Sequence, residues 1–222
     1  SIHEKLIVIL DMGSKIQQCI NTDEYDNIKS VVNDYLKEGI AHTLDETRNL
    51  SDSGQFEDIS LQQGIRQILY PYEEMEVLNP EWEVILKDII DSLFEQMSDE
   101  EYNILNEEFG TYMVSRAYEY RQLLEYFVFR YFAKSIYDYD FLGKCQMLVT
   151  NFFVIRQMDI IRWLDNHREY SFKDRMDVVH IFSRQVEYSE DNIENLYEDF
   201  IFDDIFKTDS LIAILWIDSE NI

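Results

Sequence analysis

An all-α fold is predicted by two scarcities and one pattern. The 222 residues include only six glycines and two prolines. Sheet folds need turn residues at roughly every 8–12 positions, and alternating strand–helix folds need a loop at each strand end. Apolar residues also recur three and four apart through most of the chain, the spacing of one helical face. With 46% hydrophobic and 14% aromatic residues, the chain has the material for a substantial core. The expected architecture is an irregular multi-helix bundle built around two long aromatic-rich central helices.

Leu6, Ile9, Leu10, Ile16 and Ile20 form one face of a helix over 2–20, and Tyr25, Ile28, Val32, Tyr35 and Leu36 form a shorter one ending near Gly39. Over 43–58 the pattern is lost among Asn49, Ser51, Asp52, Ser53 and Gly54, which reads as a long polar loop. Helical spacing returns over 59–69 and stops before Pro71. Asn79-Pro80 is a start signal: a capping side chain, then a proline whose missing N–H has no partner to lose at the first helical position. Trp82, Ile85, Leu86, Ile89, Ile90, Leu93 and Met97 follow in one stripe. Ser98 with Glu101 reads as a capping box opening a piece that ends at Gly110.

One helix of about 40 Å is predicted over 111–137, at about 1.5 Å per residue. A second, over 141–164, is apolar nearly all round and therefore central. Ser171 with Asp174 caps a helix carrying Phe172, Met176, Val179, Phe182 and Val186. Ser189 opens an acidic helix reaching Phe206, and 210–217 is an apolar piece that spacing leaves open between helix and strand.

Charge is unevenly distributed. The net charge is -26, but residues 1–110 hold 7 basic and 25 acidic side chains, 111–186 hold 11 and 9, and 187–222 hold 1 and 11. The near-neutral middle also carries 17 of the 32 aromatics. No linker or repeat divides the chain, so it reads as one domain, 1–222: acidic helices, a near-neutral aromatic core, then acidic helices. Strong negativity opposes binding to nucleic acid or anionic lipid, which require clustered Lys and Arg. No stretch is long and apolar enough for a membrane span. Two cysteines, Cys19 and Cys145, cannot build a disulfide framework or a four-thiolate site. A cytoplasmic location is expected.

Three groups of charges draw notice. Arg130 sits in Phe127-Val128-Phe129-Arg130-Tyr131-Phe132, where burial is hard to avoid. Arg156, Asp159 and Arg162 lie three apart, and Arg184 with Glu187 repeats the spacing. A buried arginine must find a carboxylate. These groups are therefore either a structural ion-pair network tying three helices together or a polar pocket whose arginines hold a carboxylate ligand. Tyr112, Tyr118, Tyr120, Tyr126, Tyr131 and Tyr137 need partners for their hydroxyls, which favours a polar seam inside. Asp177 and His180 have the spacing of a bundle metal pair, but no second pair faces them, and no metal is expected. Phosphate loop, dinucleotide fingerprint and nucleophile elbow are all missing from the sequence. The acidic flanks read as solvated surface or as a docking face for a lysine-rich partner.

The middle of the chain resembles a known family. Leu124-Glu125-Tyr126-Phe127-Val128-Phe129-Arg130-Tyr131-Phe132, Tyr137-Asp138 and Leu142-Gly143-Lys144 are similar to the C-terminal half of the flagellin lysine-N-methylases. So are Val154-Ile155-Arg156-Gln157-Met158-Asp159, Arg162-Trp163, and Phe182-Ser183-Arg184-Gln185-Val186-Glu187-Tyr188-Ser189-Glu190-Asp191-Asn192. The likeness is densest over 120–200, and Ile2-His3-Glu4-Lys5-Leu6 resembles the start of the same region.

The resemblance implies methyl transfer from S-adenosylmethionine to lysine side chains of flagellin. It also implies an N-terminal cysteine cluster holding an iron–sulfur centre, which this chain lacks. The chain thus corresponds to the C-terminal part of such an enzyme and is not expected to act alone. Under the resemblance, Tyr126 and Tyr131 are the catalytic candidates around the substrate lysine, because hydroxyls and π-faces suit a cation and a pocket that excludes water. Arg130, Arg156 and Arg184 are candidates to hold the methyl donor's carboxylate. The partner is flagellin or another lysine-bearing protein. The alternative is a non-catalytic acidic docking module.

Overall fold

The computed structural model describes residues 1–38, 40–56 and 58–220, and among them every regular element is helical. The helices are α1 (Ile2–Asn21), α2 (Tyr25–Glu38), α3 (Ala41–Asp52), α4 (Leu61–Glu73), α5 (Pro80–Ile89), α6 (Asp99–Met113), α7 (Ala117–Tyr131), α8 (Ser135–Asp138), α9 (Phe141–Asp165), α10 (Phe172–Phe182), α11 (Glu190–Phe202) and α12 (Thr208–Glu220). Two of them run on as wide π turns, α5 through Ile90–Glu95 and α10 through Ser183–Glu187.

The start signals act as the sequence indicates. Asn79 accepts from the Glu81 N–H ahead of Pro80, and complete capping boxes join Ser98 to Glu101 and Ser171 to Asp174. Four expectations are corrected. The polar stretch after residue 40 is largely helical, as α3. Pro71 lies inside α4, not beyond its end. Gly110 is buried within α6, which continues to Met113. The 40 Å helix does not exist: three-residue 3-10 turns at Val114–Arg116 and Phe132–Lys134 break it into the end of α6, α7 and α8. Only one of the two expected central helices is therefore continuous. The expected stop of α2 at Gly39 lies outside the described residues. The apolar piece at the end is helical, as α12.

That central element is α9, buried without interruption from Gly143 to Ile161. Helices α1, α4, α5, α7, α10, α11 and α12 pack around it, and one core cluster extends from Leu6 to Trp216. Such a helix has no solvent side on which to place a polar residue. The polar residues on it, Lys144, Gln146, Asn151, Arg156, Gln157 and Asp159, must each find a partner inside.

Helix α1 crosses α9 at Gly13, where a Cβ would stand 2.5 Å from Cys145 Sγ. Gly13→Ala should therefore cost about 1–2 kcal/mol despite alanine's better helix propensity, because overpacking outweighs it. Cys145→Ala in the same chain should recover most of that loss in urea unfolding. An uncoupled pair would show that the contact is slack.

The Leu142-Gly143-Lys144 motif makes the corner before α9. Tyr139 takes a left-handed conformation (φ 58), and Asp140 caps the Gly143 N–H at 2.9 Å. Buried Lys144 reaches Asp138 at 2.8 Å and Asp140 at 3.3 Å, with its Nζ 3.9 Å from the centre of the Tyr197 ring. That lysine is structural, since its charge ties the α8–α9 corner to α11.

Candidate functional site

Three polar clusters join the helices around α9 and α10. In the first, Asp159 of α9 is fully buried and accepts from every neighbour. Arg175 Nη1 of α10 lies at 2.5 Å, the Tyr120 hydroxyl of α7 at 2.5 Å, and the Tyr170 hydroxyl bonds its other oxygen. Burial pushes the Asp159 carboxyl up, and Arg175 with the two phenols pulls it back. Three donors converge on its two oxygens, one of them the Arg175 cation, an arrangement that favours the ionised carboxylate. Arg175 also holds Glu119 at 3.2 Å and stacks 4.4 Å above the Tyr120 ring. Arg116 extends the cluster to Glu119 at 2.7 Å and to the Tyr170 carbonyl.

The second cluster joins the first and last helices. Asp218 of α12 meets His3 Nε2 of α1 at 2.7 Å and accepts from Asn106 Nδ2 of α6 at 2.6 Å. Arg156 of α9 donates to the Asn106 side chain at 3.0 Å and lies 3.9 Å from Asp218. Asp218 is fully buried, yet the Arg156 and His3 charges and these hydrogen bonds outweigh burial and hold its carboxyl down at about 2.

The third cluster gathers three of the five residues singled out in the sequence. The Tyr126 and Tyr131 hydroxyls of α7 donate to Glu187 Oε1 at 3.0 and 3.2 Å, and Arg130 Nε lies 3.8 Å from the same oxygen. Glu187 Oε2 has no partner among the described residues. Tyr131 is buried, whereas Tyr126 and Arg130 stay substantially exposed, beside the open rings of Phe129 and Tyr188. Burial first, and the Glu187 charge second, raise both phenols. They remain protonated donors at neutral pH, and neither can serve as a base. The arrangement can hold a cation through one free carboxylate oxygen and several π-faces.

Sequence spacing misled in several places. Arg156 and Asp159 are not partners: each pairs with another helix. Arg130 lies at the surface instead of in the core. Arg184 is exposed on the π turn of α10 and joins no ion pair among the described residues. Arg175, Glu119, Tyr170, Asn106 and Asp218 were not anticipated, and apart from the local Arg116–Glu119 pair their partners lie on other helices. The one available signal was Tyr120, whose buried hydroxyl had to find a partner.

The residues do not fit either group that the resemblance implies. A nucleoside-sized ligand such as S-adenosylmethionine takes a pocket of about 300–1,000 Å³. The cavity beside Arg156 is about 200 Å³. A wider depression, about 480 Å³, is lined by Asp203 and Asp204, and its one arginine, Arg66, is paired to Glu73. An iron–sulfur cluster takes four thiolates, and Cys19 and Cys145 are the chain's two cysteines, both buried free thiols. Burial pushes the Cys145 thiol up. No group of three or more His, Cys, Asp or Glu among the described residues is placed to hold a metal, and none of their helices is long and apolar enough to cross a membrane.

A family model described as the FliB lysine N-methylase C-terminal domain matches residues 1–214. No curated protein and no solved structure matches the chain.

Proposed function

This chain belongs to the FliB lysine N-methylase C-terminal domain family, and from that premise we propose that it is the substrate-facing part of a cytoplasmic enzyme that methylates lysine side chains of flagellin. The methyl donor, S-adenosylmethionine, and any iron–sulfur centre would be held outside the residues described, and the chain would act as one folded unit around α9.

The observation that carries this reading is the Glu187 cluster. A lysine ammonium from flagellin would bond Glu187 Oε2, lie against Tyr126 and displace Arg130, which sits only 3.8 Å from the other oxygen. Methyl transfer needs the amine deprotonated, and a carboxylate favours the charged form. The cluster therefore recognises lysine, while the proton is lost elsewhere. A net charge of -26 would steer a lysine-rich partner towards the domain, increasingly so as ionic strength falls.

Glu187→Gln keeps both tyrosine bonds and removes the charge. In the intact enzyme it should raise KM for flagellin about tenfold with kcat within about twofold, the size expected for one charge-assisted hydrogen bond. An unchanged KM would sink the reading. A second reading, docking with no catalytic contribution, is favoured by the acidity of α11. It requires an upstream fragment alone to methylate free lysine peptides at the full rate.

A further inference from the structure

The cavity beside Arg156 is separate from the Glu187 cluster. It measures about 200 Å³ and opens between the first turn of α1, the end of α6, the start of α7 and the middle of α9. Its wall is apolar at Ile2, Met113, Val114 and Phe152, and polar at His3 and Arg156. Arg156 is 3% exposed, so its guanidinium is nearly withdrawn from solvent. Nε and Nη2 donate to Asn106, and Nη1 donates to nothing among the described residues. The nearest carboxylate, Asp218, is already held at 2.7 and 2.6 Å by His3 and Asn106, and Arg156 is only 3.9 Å from it. A buried cation with an unused donor lies beside an apolar space of molecular size.

We infer that this cavity binds a small apolar carboxylate, with its carboxylate on Arg156 Nη1 and its hydrocarbon body against Met113, Val114 and Phe152. Size bounds the ligand: an apolar cavity of about 150 Å³ holds benzene, so about 200 Å³ holds roughly eight non-hydrogen atoms. Charge selects the head group, because a guanidinium and a carboxylate form a charge-assisted hydrogen bond of matched geometry, which a neutral head group does not.

Hexanoate has the right size, and hexanol is its neutral counterpart. Calorimetric titration into the chain should show saturable hexanoate binding, with hexanol at least about tenfold weaker. Arg156 is too deeply networked to remove safely. Gly110, in α6 on the cavity wall, offers the cleaner variant: Gly110→Leu adds a bulky side chain at that wall and replaces a poor helix former with a good one. It should abolish hexanoate binding without lowering Tm. Equal binding of acid and alcohol, hexanoate retained by Gly110→Leu, or no saturable binding would each overturn the assignment.

Discussion

Asp159→Ala should destabilise the chain by about 3–5 kcal/mol, a large share of the stability of any domain. At this chain length, each kcal/mol moves Tm by about 2–4 °C, so the melting temperature should fall by at least about 6 °C. The substitution removes few atoms. Its effect comes from what remains: Arg175 loses its 2.5 Å contact, and the Tyr120 and Tyr170 hydroxyls lose their acceptor inside the core. Glu119, at 3.2 Å from Arg175, cannot serve all three. If charge stranding is the cause, pairing Asp159→Leu with Arg175→Met should recover much of the loss, because neither charge is then left unpaired and buried Glu119 keeps Arg116 at 2.7 Å. A loss below about 1 kcal/mol for the single variant would show that the network is incidental to stability.

Acid should dismantle the second cluster. The Asp218 carboxyl sits at about 2, against 3.8 for the ordinary group. Its folded value is depressed, so its contribution is present above the unfolded value and is lost as pH falls from about 4 through about 2. Its size is about 2 kcal/mol, from the linkage of pKa to free energy. Net acidity complicates the raw profile, since protonating many carboxylates also relieves self-repulsion. The difference in stability between the wild type and Asp218→Asn isolates the group: it should shrink by about 2 kcal/mol between pH 5 and pH 2. A difference that stays constant over that interval would mean that Asp218 is not ionised against Arg156 and His3.

Features set by local chemistry were readable in the sequence. The caps at Asn79, Ser98 and Ser171 are three-residue events, and the all-round apolarity of α9 is visible in one window. Features set by a distant side chain were not. Helix α3 buries only two threonines and shows no apolar stripe; it is fastened by Asp11 of α1, which accepts from Thr43 at 3.1 Å and from Tyr35 of α2 at 2.5 Å. Helix α4 continues past Pro71 because Tyr72, one residue from its end, is anchored to Thr150 and Asn151 at 3.0 Å each. The break after Met113 lets Arg116 reach Glu119 and the Tyr170 carbonyl, a contact 54 residues away in the chain.

The site divides in the same way. Tyr126, Arg130, Tyr131 and Glu187 stood out by composition, and the fold brings them together. Arg156 and Asp159 lie three apart, but α9 is surrounded, so they reach different neighbours, Asp218 and Arg175, and spacing along one helix names neither partner.

Glu187 is the last residue of a π turn, not of an α-helical one. A wide turn of this kind carries one residue more than the helix on either side, and each residue of an α-helix advances the azimuth by about 100°. Losing any one position within 183–186 would return α10 to regular winding and swing the carboxylate away from Tyr126 and Tyr131, although all three side chains survived. The cluster is addressed by a count in the backbone as much as by the letters of its members. A homologous chain that keeps the glutamate but lacks the extra position would carry the residue without the site.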